Sequence, residues 1–495
     1  MSRRSTGPDG IFRRKPIDQI DDETDSGGLK RELGLWQLTA IGVGGIIGAG
    51  IFTLAGEVAH QTAGPAVLIS FLIAGIASAA AALSYAEFAG MIPKAGSAYT
   101  YGYAVLGEFV GWFIGWDLLL EYIAIVAVVA IGISGYIGFL VTQLGVHLPD
   151  WMLGAAGTGP GRVVDVFAVL LCLLTAFVLT RGIRSAARFE FVAVGIKVLI
   201  VVLIVALGVF HINSANYHPY FPFGFGGVMT GAATVFFAVF GYDAMSTAAE
   251  ESKDARKHMP KAILLSLGIA MILYVLATLV LTGMQNFKDI DPKSGFATAF
   301  ASVGLDGAAN IIAIGAIIGI ITVLLTFMLG VTRVWFSMSR DGLLPEWFAK
   351  TSPKRHVPTR VTWIAGIAAA ILAGIVPIST VAELTNIGIL LAFVVVCASV
   401  IVLRYRRPDI PRNFRLPLMP VVPAIGVIAS LWLISYLHWE TWVRFAVWFV
   451  LGLIVYFAYS KRHSLLSPNS PRHDSSSSAR SAGEAADGPP EHGVS

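Results

Sequence analysis

Apolar stretches of helix length recur along this chain, separated by connectors rich in glycine, proline or charge. They fall at roughly 35–57, 65–91, 103–140, 163–180, 189–210, 227–249, 260–283, 308–336, 358–377, 380–403, 418–437 and 441–460. A helix needs about 20 apolar residues to cross the hydrocarbon of a bilayer. The pattern therefore predicts twelve transmembrane helices. The two ends are different in kind. Residues 1–34 read as an N-terminal segment. Residues 463–495 contain the run SPNSPRHDSSSSARSAGEAADGPPEHGVS, too poor in apolar side chains to bury a core, and so read as a disordered tail.

Two spans carry interruptions. Gly42, Gly44, Gly45, Gly48 and Gly50 fall within nine residues of the first. Each interior glycine costs a helix roughly 1 kcal/mol relative to alanine, and lipid does not satisfy broken backbone. The sixth span, in TVFFAVFGYDAMSTAAEES, holds Gly241, Asp243 and a run of small residues. If spans 1–5 (35–210) and spans 6–10 (227–403) are repeats, their odd helix number inverts the second copy, and 418–460 adds two further helices. Broken helices at corresponding positions of inverted repeats point to a transport site at the midplane. The outer half of the first span would begin near Ala49–Gly50, turning free N–H groups and a positive dipole end to a carboxylate. Carbonyls freed around Phe237–Phe240 suit an ammonium. Together they describe an α-amino acid.

Composition narrows the class. The chain is 56% hydrophobic and 13% charged, against about 25% charged in soluble domains, and its mean hydropathy is +0.73. Cys172 and Cys397 both lie in apolar stretches, so no disulfide framework is expected. The basic leader runs directly into a span, with no short apolar core and small-residue cleavage site. With the N-terminus inside, the inner interhelical loops hold nineteen Lys and Arg residues and the outer loops four. This bias predicts cytoplasmic termini in a cell membrane. It also assigns the net charge of +4 to orientation, not to nucleic-acid binding.

Few ionisable residues fall inside the spans, and each costs about 2.5–3.5 kcal/mol at a helix centre on insertion scales. Lys197, in FVAVGIKVLIVVLIV, is a candidate proton carrier because desolvation makes a lysine easier to deprotonate. The alternative is a lysine snorkelling to the inner interface. Asp117 and Glu121, in GWDLLLEYIAIV, share one helix face at i, i+4 spacing. That face should look into the bundle. Glu121 is placed to attract a cationic substrate, to bind a proton, or to hydrogen-bond another helix.

The motif IGVGGIIGAGIFTLAGEVA resembles the first helix of the amino acid–polyamine–organocation superfamily. The segments GWDLLLEY, VAVGIKVL, FFAVFGYDAMSTAAEESKDARKHMPKAI and GVTRVWFSMSRDGLLPEWFAK are similar, in order and spacing, to bacterial members of its cationic amino acid transporter family. The resemblance covers about residues 29–460. It implies an all-α polytopic membrane protein with a LeuT-like 5+5 inverted repeat plus two extra helices. It implies proton-coupled amino acid uptake, with a proton gradient as energy source and no cofactor. Carried over, Ile46, Gly48, Ala49 and Gly50 bind the substrate carboxylate side, and Phe237, Ala238 and Phe240 meet and cover the amine. Lys197 takes the place of sodium in coupling, and Glu121 matches the family's third-span glutamate. Asp243, Phe327 and Met328 are possible pocket residues. Many relatives carry Ser or Thr where this chain has Ala49, which removes a hydroxyl contact and leaves more to backbone N–H groups. Carriers of small neutral amino acids share the glutamate, so Glu121 leaves cationic and neutral substrates open. Other classes are disfavoured. A channel needs a continuous polar pore or ring of filter residues, and an enzyme needs a nucleophile–base or metal cluster. The ten histidines sit at span ends, in loops or in the tail. A sensor that binds amino acid without accumulating it stays as an alternative that flux separates.

Overall fold

A computed structural model describes residues 33–91, 99, 107–181, 186–242, 245, 252–350, 352, 357–406, 408 and 412–465. Asp243, residues 1–32 and the tail from 466 lie outside the described residues. Among the described residues the regular elements are helical, and the extended pairings are two single bridges, Leu33 with Ser252 and Leu153 with Asp165.

The first predicted span forms α1 (Leu35–Ile46) and a separate outer segment. In that segment α2 (Ala55–Val58) is flanked by π-helical turns at Gly50–Leu54 and Ala59–Ala63. There follow α3 (Val67–Met91), α4 (Glu108–Gln143), α5 (Val166–Arg181), α6 (Ala186–Gly208), α7 (Gly224–Val235) and α8 (Ala255–Met284). The rest are a short α9 (Gly295–Ser302), then α10 (Asp306–Arg340), α11 (Thr359–Ile375), α12 (Ile378–Arg406), α13 (Val421–Ser435), α14 (Trp439–Val455) and a final turn, α15 (Lys461–His463). Among the described residues seven apolar helical stretches are long enough to cross a membrane, and four shorter apolar helices of 10–17 residues accompany them. The chain is an all-helical polytopic membrane protein.

The axis of the bundle is α4. From Glu121 to Ser134 every residue of it is buried, as expected of a helix that is apolar all round. Its 36 residues span roughly 54 Å at 1.5 Å per residue. It packs most extensively on α10, with α12 and α11 also against it, while α3 pairs with α8. By contrast α14 lies at the periphery, with Trp442, Val447, Val450, Leu451 and Ile454 exposed. Apolar exposure on this scale fits lipid contact.

Polar clamps gather at the end of the bundle that the charge count assigns to the cytoplasm. Glu87 on α3 is fully buried; it accepts from Arg404 Nη2 at 2.5 Å, from Arg412 Nε at 3.2 Å and from the Leu416 N–H at 2.8 Å. The end of the described chain folds back onto the start of α4 and the turn after α10. Ser464 Oγ donates to Glu108 at 2.7 Å, Ser460 Oγ to the Leu343 carbonyl at 2.6 Å, and the Leu465 N–H to the Asp341 carbonyl at 3.1 Å.

Candidate functional site: two broken helices around a buried lysine

The helix of the first span stops at Ile46. Ile47 is extended (φ −74°, ψ 105°), and helical backbone resumes at Ala49 (φ −55°, ψ −25°). The Phe52 N–H donates to the Gly48 carbonyl at 3.3 Å. The N–H groups that precede it are therefore those a helix start leaves without intrahelical partners. This break sits at the Gly48–Gly50 end of the glycine cluster, where the sequence expects the outer half to begin.

The second break follows α7. A single tight turn covers Phe236–Ala238, Val239 leaves the helix, and Gly241 takes φ +110°. Two features require glycine there. A side chain rarely adopts that φ, and a Cβ would lie 2.6 Å from the Gly45 carbonyl oxygen. The reverse also holds, since a Cβ on Gly45 would lie 2.7 Å from the Gly241 carbonyl oxygen. One turn outward, a Cβ on Gly50 would lie 2.4 Å from Ala238 Cβ. The two breaks thus meet backbone to backbone, and the glycines are the condition of that approach.

Lys197, fully buried on α6, reaches this crossing. Its Nζ donates to the carbonyls of Gly44 and of Ile47 (2.8 Å), and to Thr322 Oγ1 on α10 (3.4 Å). An ammonium has three donors and no acceptor. Here all three are directed at acceptors, two of them carbonyls left over where α1 ends. Lys197 is therefore held in place inside the bundle; snorkelling does not describe it. Its own Cβ packs on Gly319 of α10.

Aromatic side chains close the other side. Phe237 and Phe240 are in edge contact, with centroids 5.8 Å apart, and Phe240 lies 5.6 Å from Phe327 of α10. Phe327 in turn meets Tyr122 of α4 at 5.3 Å. Met328, one residue on, is turned by the helical period toward Gly366 of α11, so the expected pair divides and only Phe327 joins the aromatic group. Ile46 contributes its carbonyl, which accepts from Tyr274 Oη at 2.7 Å. Ala49 and Thr53 both face Gly132 of α4. Glu121 is buried, eleven residues before Gly132, or about 16 Å along the helix. The structure therefore sets it toward the Tyr122–Phe327 end of the site, away from Ala49.

Three supporting groups gave no signal in the sequence. Asn386 Nδ2 donates to the carbonyls of Ala233 and Thr234 at 2.8 and 2.9 Å, capping the end of α7. Ser78 Oγ donates to the Val239 carbonyl at 2.8 Å, and Tyr274 acts as described. Each is a common polar residue in an apolar helix, and its role exists only through a break contributed by another helix. Beside the outer segment lies a cavity of about 370 Å³, lined by Glu57, Thr62, Thr234, Glu383, His438 and Arg444 among others. Within it His438 Nδ1 lies 2.7 Å from Glu383, which also accepts from Thr441 Oγ1 at 2.9 Å. Among the described residues no group of three His, Cys, Asp or Glu side chains could hold a metal.

A bundle of apolar helices, two of them broken where they cross, is the framework of a membrane permease. The chain belongs to the amino acid permease family of the amino acid–polyamine–organocation superfamily, whose family model matches residues 33–463. It is 44% identical over 462 residues to the branched-chain amino acid permease BcaP of Bacillus subtilis, and 43% identical over 456 residues to the methylthioribose transporter of the same organism. Each alignment covers 92% of this chain and 99% of the relative. It is also 36% identical over 407 residues to the vacuolar cationic amino acid transporter 4 of Arabidopsis thaliana, covering 81% of this chain and 68% of that protein. These relatives are permeases and transporters, not enzymes.

Proposed function

We propose that this protein is a secondary active permease that takes up amino acids with apolar side chains, coupled to protons, by alternating access. The observation that carries the reading is the backbone contact of the two breaks at Gly45 and Gly241, with Lys197 bound to the carbonyls beside it. The substrate carboxylate takes the N–H groups from Gly48 to Ile51, at the positive end of the outer segment. The ammonium takes the carbonyls of Phe237 and Ala238. The side chain lies against Phe237, Phe240 and Phe327. Such a lining offers apolar surface to a branched aliphatic group, in keeping with the resemblance to a branched-chain amino acid permease.

Lys197 couples the proton to this movement. With all three donors on acceptors it is held charged while α1 stays in place, and its deprotonation requires those carbonyls to move away. Lys197 thus reports to α6 and α10 whether the first span is closed. Twelve transmembrane helices in a 5+5 inverted arrangement (35–210 and 227–403), two further helices (418–460) and both termini in the cytoplasm complete the reading. The bias of basic residues to one side supports that orientation.

The test is a thermal-shift screen of the purified protein against all twenty amino acids and methylthioribose. A ligand at 100 times its Kd stabilises by about 2.7 kcal/mol. Leucine, isoleucine and valine are expected to stabilise and to drive pH-gradient-dependent uptake in liposomes. Stabilisation by arginine and lysine alone would assign Glu121 to side-chain charge recognition. Stabilisation by methylthioribose alone would overturn the amino acid reading.

A further inference from the structure

Asp117 stands apart from the polar groups described above. It lies on α4 one turn before Glu121, and it is 3% exposed. Its Oδ1 has no hydrogen-bond partner among the described residues. Both carboxyl oxygens press on α12 at Gly388, where a Cβ would lie 2.7 Å from Oδ1 and 3.1 Å from Oδ2. Gly388 is thus a notch that admits the carboxyl into the α4–α12 contact. The neighbouring residues of α4 are sealed by other helices. Gly115 is covered by Met338 of α10, and Trp116 stacks on Trp448 of α14 at 4.6 Å.

No charge faces the carboxyl from the helices around it, among the described residues. On α12, Glu383 is bound to His438 and Thr441, Arg404 is bound to Glu87, and Arg406 is exposed. On α10, Arg333 and Arg340 are exposed and Asp306 stands at the opposite end of the helix. On α14, Glu440 and Arg444 line the outer cavity. On α4 itself Glu108 is engaged by Tyr456 and Ser464. Only Glu121 shares the same face. Burial disfavours the ionised form of a carboxyl that no opposite charge faces, so such a group favours its neutral form.

We propose that Asp117 is a proton-binding residue of the transport cycle: its carboxyl is neutral while seated in the Gly388 notch, and it ionises when the α4–α12 contact opens to water. The bond that breaks is the carboxyl O–H, and the proton passes to water on the side then open. No other reactant is needed. The inference rests on the permease reading above and adds a second protonation site to Lys197.

The experiment compares wild type with Asp117→Asn in liposomes, using leucine. The carboxamide has the shape of the neutral acid and cannot release a proton. Leucine counterflow at equal pH is expected to persist in Asp117→Asn. Accumulation driven by one pH unit, at most about tenfold for one proton, is expected to vanish. Substrate-induced infrared difference spectra of wild type should contain a protonated-carboxyl C=O band that Asp117→Asn lacks, a readout that packing alone would not move. Wild-type accumulation by the variant, or an unchanged carboxyl band, would overturn the proposal. So would loss of counterflow together with an unchanged band in wild type, which would make Asp117 structural. Absence of leucine counterflow in wild type would instead strike the permease reading with this substrate.

Discussion

Lys197 is the residue on which the site turns. Three donors meet three acceptors, and two of those acceptors exist only because α1 ends early. Lys197→Met keeps the bulk and removes the donors. It leaves two buried carbonyls unpaired, at about 1–3 kcal/mol each. The variant is expected to unfold at lower temperature and to lose accumulation driven by a pH gradient. Retained gradient-driven uptake in liposomes would remove Lys197 from the coupling step. Ala49→Leu tests the carboxylate end. Ala49 is 1% exposed and faces Gly132, so three extra carbons have no room, and overpacking of this kind costs about 1–3 kcal/mol. Substrate-induced stabilisation should disappear, and unchanged uptake would contradict the pose. For Glu121→Gln, the apolar pocket predicts that leucine binding survives, measured as the shift in melting temperature with leucine present.

Elements carry the second kind of constraint. The broken helices cross where Gly45 and Gly241 exclude any Cβ. Gly241→Ala adds a strained φ to a backbone clash, so it is expected to be worse than Gly45→Ala. Both should abolish uptake, and the order should appear in their melting temperatures. At the other end of α3, Glu87 holds Arg404 and Arg412 from a fully buried position. Removing one partner of such a pair costs about 3–5 kcal/mol. Glu87→Ala should therefore unfold at lower temperature than wild type, although it lies far from the crossing. The sequence made the twelve apolar stretches legible because lipid imposes length and composition on any helix it surrounds. It also pointed to where α1 breaks, because five glycines in nine residues weaken the helix there; that Gly45 and Gly50 also admit the second break became visible only in the structure. It did not show which way Met328 points. That depends on helical register, and in a span apolar on every side no periodicity marks the register.

At the scale of the whole molecule, the distribution of basic residues predicts orientation. Ser214 lies in an exposed connector counted as outer, and Glu346 in one counted as inner. The native cysteines, Cys172 and Cys397, are both buried. In intact cells an impermeant maleimide is expected to label Ser214→Cys and to label Glu346→Cys only after lysis. The opposite pattern would reverse the topology and with it the assignment of outer and inner halves.

The sequence by itself determined that this protein lives in a membrane, that it is built from apolar helices, and that the first of them is broken. Those are local facts, fixed by how lipid treats each segment alone. The tertiary structure decided that the second break lies against the first, that Lys197 serves the carbonyls of Gly44 and Ile47, and that Asn386, Ser78 and Tyr274 satisfy those of Ala233, Thr234, Val239 and Ile46. These pairings join residues 150 or more positions apart. The partner of an unpaired carbonyl is set by which helix packs beside it, and packing is a property of the whole bundle.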